Sequence, residues 1–150
     1  MANAFVKNTI HLVFHIKISS IYIRECDLES LFRYIGGTIS KLGAIPFEIG
    51  GRPDHIHIMC TVPKTIALCN FVSKIKSSSS RWLKTVHDRY INFCWQDGYG
   101  AFSVSPSVEE RTAYYIRNQA EHHKTIRFED EYKYILDAYG IEYDDNTFTD

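Results

Sequence analysis

"AIPFEIGGRPDHIHIMCTV", residues 44–62, reads as two short strands about a turn. "AIPFEIG" is a strand candidate, "GGRPD" is turn chemistry, and "HIHIMCTV" is a second strand, so 44–62 is a predicted hairpin. Within the second strand, residues two apart project to one face, about 6.5–7 Å apart along the chain. His55 and His57 therefore stand side by side, while Ile56, Ile58, Cys60 and Val62 point the other way. One face of this strand suits a core. The other offers a pair of imidazoles, which is either a start on a metal site or two histidines on the solvent side of an open sheet.

The flanking segments extend the hairpin into a fold. "NTIHLVFHIKI" (8–18) alternates, with Ile10, Leu12, Phe14, Ile16 and Ile18 on one face and His11, Val13, His15 and Lys17 on the other, the period of a strand. "DLESLFRYIGGTISKLG" (27–43) repeats Leu28, Leu31, Phe32, Ile35, Ile39 and Leu42 at helical spacing, with Asp27 as N-cap and Gly43 as stop. Its Gly36-Gly37 pair weakens the helix or admits a close neighbour. "TIALCNFVSKIKSSSSRWLKTVH" (65–87) is a predicted helix with Ile66, Val72, Ile75, Trp82 and Val86 inward. "INFCWQDGYGAFSVS" (91–105) reads as two short strands around an Asp-Gly turn. "PSVEERTAYYIRNQAEHH" (106–123) opens with a capping box, Ser107 to Glu110, and continues as a helix. "EDEYKYILDAYG" (129–140) is a last, acidic helix that stops near Gly140.

The first six elements, strand–helix–strand–strand–helix–strand, spell an α+β, ferredoxin-like (RRM-like) split βαβ. Its antiparallel sheet carries helices on one face, followed by a C-terminal helix bearing tyrosines. The 150 residues suit one domain, 1–150, with an acidic helix and tail from about 129.

Composition narrows the functional classes. No apolar run approaches the roughly 20 residues that span a bilayer, and the N-terminus lacks signal-peptide features, so a cytoplasmic protein is expected. Cys26, Cys60, Cys69 and Cys94 form no CxxC pair, which speaks for buried free thiols rather than a disulfide frame or zinc ribbon. The net charge of −1 conceals an asymmetry: residues 129–150 hold eight acids and one base, −7, leaving −1 + 7 = +6 on the rest. A basic body with an acidic tail fits a polyanion partner; the plainer account is a solvated tail on an ordinary domain. The basic residues gather around one helix as Lys74, Lys76, Arg81, Lys84 and Arg89, with Ser77 to Ser80 between them as small hydroxyl donors. Trp82 and Trp95 can stack on bases, but core packing is the expectation for both.

In "YYIRNQAEHH", Tyr115 and Gln119 are four apart and share a helix face, about 5–6 Å from each other. Gln119 offers a carbonyl oxygen to a metal and Tyr115 a phenol nucleophile, though the same pair also fits an ordinary amphipathic helix. Tyr114 points about 100° away.

Together, "PDHIHI", the basic helix, "WQDGYGAFSVS" and "YIRNQAEHHK" resemble the single-tyrosine HUH transposases of insertion sequences that move as single-stranded DNA, and their relatives the REP-associated tyrosine transposases. The resemblance spans about residues 5 to 145, in order. It implies that His55, His57 and Gln119 bind a divalent metal, Mg or Mn. It implies that Tyr115 cleaves single-stranded DNA beside a hairpin through a 5′-phosphotyrosine, and that the protein works as a homodimer. Tyr114 departs from the simplest pattern; no metal role is assigned to His11 or His15, and Asp54 is read as closing the turn rather than orienting a histidine. The alternative within the fold is a domesticated or non-catalytic hairpin DNA/RNA-binding protein. An RRM lacks support because its aromatic signature is missing. A histidine-triad hydrolase would need a third histidine where Met59 stands, and a 2H phosphoesterase needs two His-x-Thr/Ser repeats that are not here.

Overall fold

The computed structural model describes residues 3–144 and 146–148. Strand β1 (Thr9–His15) is followed by helix α1 (Glu25–Lys41), the hairpin β2 (Pro46–Arg52) and β3 (His55–Thr61), helix α2 (Leu68–Val86) and strand β4 (Gly100–Ser103). The sheet order is β2-β3-β1-β4 with every neighbouring pair antiparallel. This is the split βαβ arrangement expected from the element order. The hairpin is tighter than its sequence suggests: Gly50, Gly51 and Arg52 belong to β2, and only Pro53 and Asp54 turn. That turn is tied down because the Asp54 and Pro53 carbonyls accept from the amides of Ile16 and Ile23 at 2.9 and 3.0 Å.

Alternation divides the sheet. Leu12, Phe14, Ile56, Ile58 and Cys60 are fully buried under α1 and α2, against Leu31, Ile35, Ile39, Phe71, Ile75 and Leu83. Each such apolar side chain is worth about 1.5–3 kcal/mol on burial, so this layer holds the fold. Trp95 packs here, edge-on to Phe14 and Phe93 at 4.8 and 4.9 Å, its indole N–H donating to Ser79 Oγ at 3.0 Å. Trp82 is half-buried and stacks on Tyr34 at 5.1 Å. Val86, expected inward, is exposed at the end of α2, while Phe71, Ser79 and Leu83 take inward positions.

The opposite face is covered too. Helices α3 (Glu109–Arg117), α4 (Gln119–His122) and α5 (Phe128–Ala138) lie over it. Val13 and Phe102 pack on Tyr132, Ile135 and Leu136 of α5, and Met59 packs on Ile116 of α3. The solvent-facing alternative for the two histidines is therefore excluded: both are fully buried.

Several local expectations are corrected. Strand β1 ends at His15, and Ile18 is exposed. Residues 91–97 form no strand, only one bridge between Ile16 and Trp95. Gln96 replaces a continued ladder, its amide donating to the His15 carbonyl and its side-chain oxygen accepting from the His15 amide at 2.8 and 3.0 Å. Asp27 is not a cap, because α1 starts at Glu25; it is a buried acid receiving bonds from Arg24 and the Tyr90 hydroxyl. The Ser107 capping box does not form, because Pro106 begins a 3-10 turn and Ser107 Oγ meets Ser105 Oγ instead. Of the four free cysteines only Cys60 is buried, which pushes its thiol up to about 12; Cys26, Cys69 and Cys94 are exposed. Gly43 and Gly140 do end α1 and α5, at φ 87° and 68°. In each case the following amide bonds back to the helix, Ala44 to Ile39 and Ile141 to Leu136.

Candidate active site

His55 and His57 lie on β3, and the strand's pleat points both into the space between the sheet and α3–α5. Their rings are 5.1 Å apart. Each has one nitrogen engaged at its outer side: His55 Nδ1 lies 2.7 Å from Asp54 Oδ1, and His57 Nδ1 lies 2.7 Å from His11 Nε2. Such partners fix ring orientation and leave Nε2 for a ligand. Asp54 thus holds a histidine with its side chain while its carbonyl ties the turn to Ile16, correcting the turn-only reading. His11 sits behind His57, and His15 Nδ1 bonds the Ile16 carbonyl at 2.7 Å.

The expected single helix over 106–123 is broken at Asn118, whose φ of −101° and ψ of 27° separate α3 from α4. The Asn118 side chain donates to the Tyr114 carbonyl at 2.8 Å, which stabilises the break. Tyr115 is in α3 and Gln119 opens α4, yet both reach the histidines. Gln119 Oε1 is 2.8 Å from His55 Nε2, and the Tyr115 ring is 5.8 Å from His57. Tyr114 is exposed. All four expected site residues come together within one chain.

A residue with no role assigned from the sequence completes the cluster. Glu131 of α5 is buried beside them. Its Oε1 lies 2.9 Å from His57 Nε2, 3.6 Å from His55 Nε2 and 3.2 Å from His123 Nε2. Its Oε2 accepts from the Tyr115 hydroxyl and from Gln119 Nε2 at 3.0 Å, and lies 3.2 Å from His122 Nε2. The sequence signal for it is weak: Glu131 falls between Phe128 and Ile135 at spacings of three and four, on the edge of α5's apolar stripe.

Burial and pairing set the electrostatics. Burial lowers His57 to about 4, against the opposing pull of Glu131. Burial, reinforced by His57, lowers His11 to about 3. For Glu131 burial acts to raise the carboxyl, but the His123 imidazole 3.2 Å away and the hydrogen bond with His57 outweigh it and hold the group well below the usual range. Burial and then the Glu131 charge push the Tyr115 phenol well up. The site is a buried carboxylate ringed by imidazoles, a phenol and an amide. A cavity of about 550 Å³ opens beside Asp54 and His123, lined also by Arg52, Arg127 and Phe128.

The five basic residues of the α2 region do not form one surface. Lys76 donates to the Gly98 carbonyl at 2.7 Å, Lys84 to Ser80 Oγ and the Phe93 carbonyl, and Arg89 to the Tyr22 carbonyl. Lys74 and Arg81 instead line an open groove of about 640 Å³ between α1 and α2, with Arg33 and Lys41. That groove lies on the sheet face opposite the histidines.

A profile of the family described as "Transposase IS200 like" matches residues 4–119. Among solved structures, the chain is similar to a "putative transposase" from Deinococcus radiodurans R1, at 18% identity and TM-score 0.60, covering 79% of this chain and 96% of that one. It is also similar to a REP-associated tyrosine transposase bound to a REP hairpin, at 12% identity and TM-score 0.61, covering 84% of this chain and 74% of that one. A search of curated proteins finds no match. The matched family stretch ends at Gln119 and leaves α5, with Glu131, outside it.

Proposed function

The chain belongs to the IS200-like transposase family, and from that premise we propose that it cleaves and rejoins single-stranded DNA at hairpin-bearing element ends through Tyr115. The observation that supports this reading is the convergence of Tyr115, Gln119, His55 and His57, from three separate elements, on one buried point. The phenol oxygen of Tyr115 bonds to phosphorus, the bond from phosphorus to the 3′-oxygen breaks, and the 3′-hydroxyl leaves with a proton. The new 5′ end stays on Tyr115 as a phosphodiester, so a second 3′-hydroxyl can attack and reverse the step without ATP.

His55, His57 and Gln119 would hold a divalent cation, Mg²⁺ or Mn²⁺. The donor chemistry fits: both Nε2 atoms face inward because Asp54 and His11 occupy the outer nitrogens. Bound there, the cation supplies positive charge that polarises the scissile phosphate and offsets charge in the transition state. Asp54 and His11 keep the imidazoles aimed. Lys74 and Arg81, exposed in the α1–α2 groove, are the best placed of the five basic residues to meet DNA phosphates. A homodimer lets two tyrosines exchange strands.

Incubation with Mn²⁺ and a single-stranded hairpin oligonucleotide from the element end should give a denaturant-stable protein–DNA adduct. Label placed 3′ of the cut should stay with the protein. Tyr115→Phe should abolish the adduct and retain binding, and Tyr114→Phe should still form it. A second reading, a hairpin-binding protein without catalysis, draws on the complete burial of both histidines and on the Tyr115 hydroxyl being bonded to Glu131. Hairpin binding with no adduct in the parent would establish that one.

A further inference from the structure

We propose that Glu131 is itself a ligand of the divalent cation, so that the ion in this chain is held by His55 Nε2, His57 Nε2 and Glu131 Oε1, with Gln119 as a weaker or bridging partner. The inference rests on the reading above that this site takes a metal, and adds a donor from a helix that the family match does not reach.

Geometry carries the argument. The three donor atoms lie within 4.8 Å of one another. Glu131 Oε1 faces both histidine Nε2 atoms, and Oε2 faces away from them toward Tyr115, Gln119 and His122. The neighbouring acids in the first turn of α5 do not share this fate. Glu129 pairs with Lys133 and Asp130 with Arg127, both toward solvent. Of the three, only Glu131 is turned inward, and it is 3% exposed.

The chemistry agrees. Mg²⁺ and Mn²⁺ are hard ions that prefer charged oxygen, and Mg²⁺ is typically held through one or two carboxylates. Two neutral imidazoles and an amide offer no anionic oxygen. Glu131 supplies it and gives two histidines and a carboxylate on one side of the ion, which leaves positions open for phosphate oxygens. A second trio, His122, His123 and Glu131, shares the same carboxylate, but its imidazoles are partly exposed. His123 Nε2 approaches Oε1 and His122 Nε2 approaches Oε2, each at 3.2 Å.

The test is Mn²⁺ binding followed by loss of the free-ion electron paramagnetic resonance signal, with no DNA present. The parent should bind, Glu131→Gln should bind at least tenfold more weakly, and Gln119→Ala should lose less than Glu131→Gln. Parent-like affinity in Glu131→Gln, or a larger loss in Gln119→Ala, overturns the assignment and leaves the metal reading intact. A parent that binds neither Mn²⁺ nor Mg²⁺ overturns both. Pulsed measurements of coordinated nitrogen should count two imidazoles in the parent and still two in His122→Ala/His123→Ala; a lower count in that double variant moves the ion to the other trio and refutes the proposal. Because Glu131→Gln can fail to fold, the parent also gives a direct readout. With ¹³C-carboxyl glutamate, one Glu carboxylate stretch should shift on adding Mn²⁺, and no shift overturns the proposal.

Discussion

Gly50 offers a sharp test of how the nucleophile is placed. It pairs with His57 across the β2–β3 ladder, and α3 passes directly over it. A Cβ there would stand 2.2 Å from the Ile116 carbonyl oxygen, 3.0 Å from its carbon and 3.1 Å from its Cγ2. An ordinary carbon–oxygen contact is about 3.3 Å or more, so Gly50→Ala requires α3 to retreat by about 1 Å. The obstacle is backbone, which no rotamer change relieves, and Ile116 is fully buried against Met59 and Val104. Overpacking of this kind costs about 1–3 kcal/mol. Ile116 adjoins Tyr115, so the nucleophile moves with it, and a misplacement of about 1 Å can slow a reaction about 10²-fold. Urea unfolding should show a midpoint lower by about 1 M, for a slope of about 1–3 kcal/mol/M. Adduct formation should slow further than the stability loss explains. Gly37→Ala is the control: nothing lies within 4 Å of its added methyl in the middle of α1, so it should stabilise by about 0.5–1 kcal/mol. Parent-like stability and adduct rate in Gly50→Ala would refute the close packing of α3 on β2 as the device that places Tyr115.

Asp27→Asn should destabilise by about 1–3 kcal/mol at neutral pH, since the carboxylate accepts bonds from Arg24 and from buried Tyr90. Burial acts to raise this carboxyl, but those bonds hold it below the ordinary aspartate value. Its contribution is thus full above that ordinary value and is lost as pH falls through the depressed one, so denaturation curves of parent and variant should converge in acid. Lys74→Ala and Arg81→Ala should weaken hairpin binding across sequences and flatten its dependence on log salt by about one unit per lost phosphate contact. Lys84→Ala should instead lower stability more than binding, because its ammonium is engaged by Ser80 and Phe93. Light scattering at micromolar concentration should give about twice the 17.4 kDa chain mass, and a clean monomer would remove the exchange between two subunits.

The sequence by itself determined what depends on neighbours along the chain. Alternation in β1 and β3 set which residues share a face, and the two-residue spacing alone paired His55 with His57. Glycines at 43 and 140 set two helix ends, because only the left-handed backbone closes those turns cheaply. The element order pointed to the split βαβ plan, although the strand that completes the sheet is β4 and not the one expected over 91–97. Tertiary structure alone decided the rest. Whether the histidine face met water or protein depended on α5 docking through Tyr132, Ile135 and Leu136 onto Val13 and Phe102, contacts between segments far apart in the chain. That docking chose Glu131, rather than Glu129 or Asp130, as the buried carboxylate, which its place at the edge of the apolar stripe signals only weakly. The same dependence sorted the lysines: Lys76 and Lys84 found loop carbonyls to bond, whereas Lys74 faces the groove with Arg81. Charge and helical period are local properties, whereas the environment that gives a charge its chemistry is assembled from distant segments.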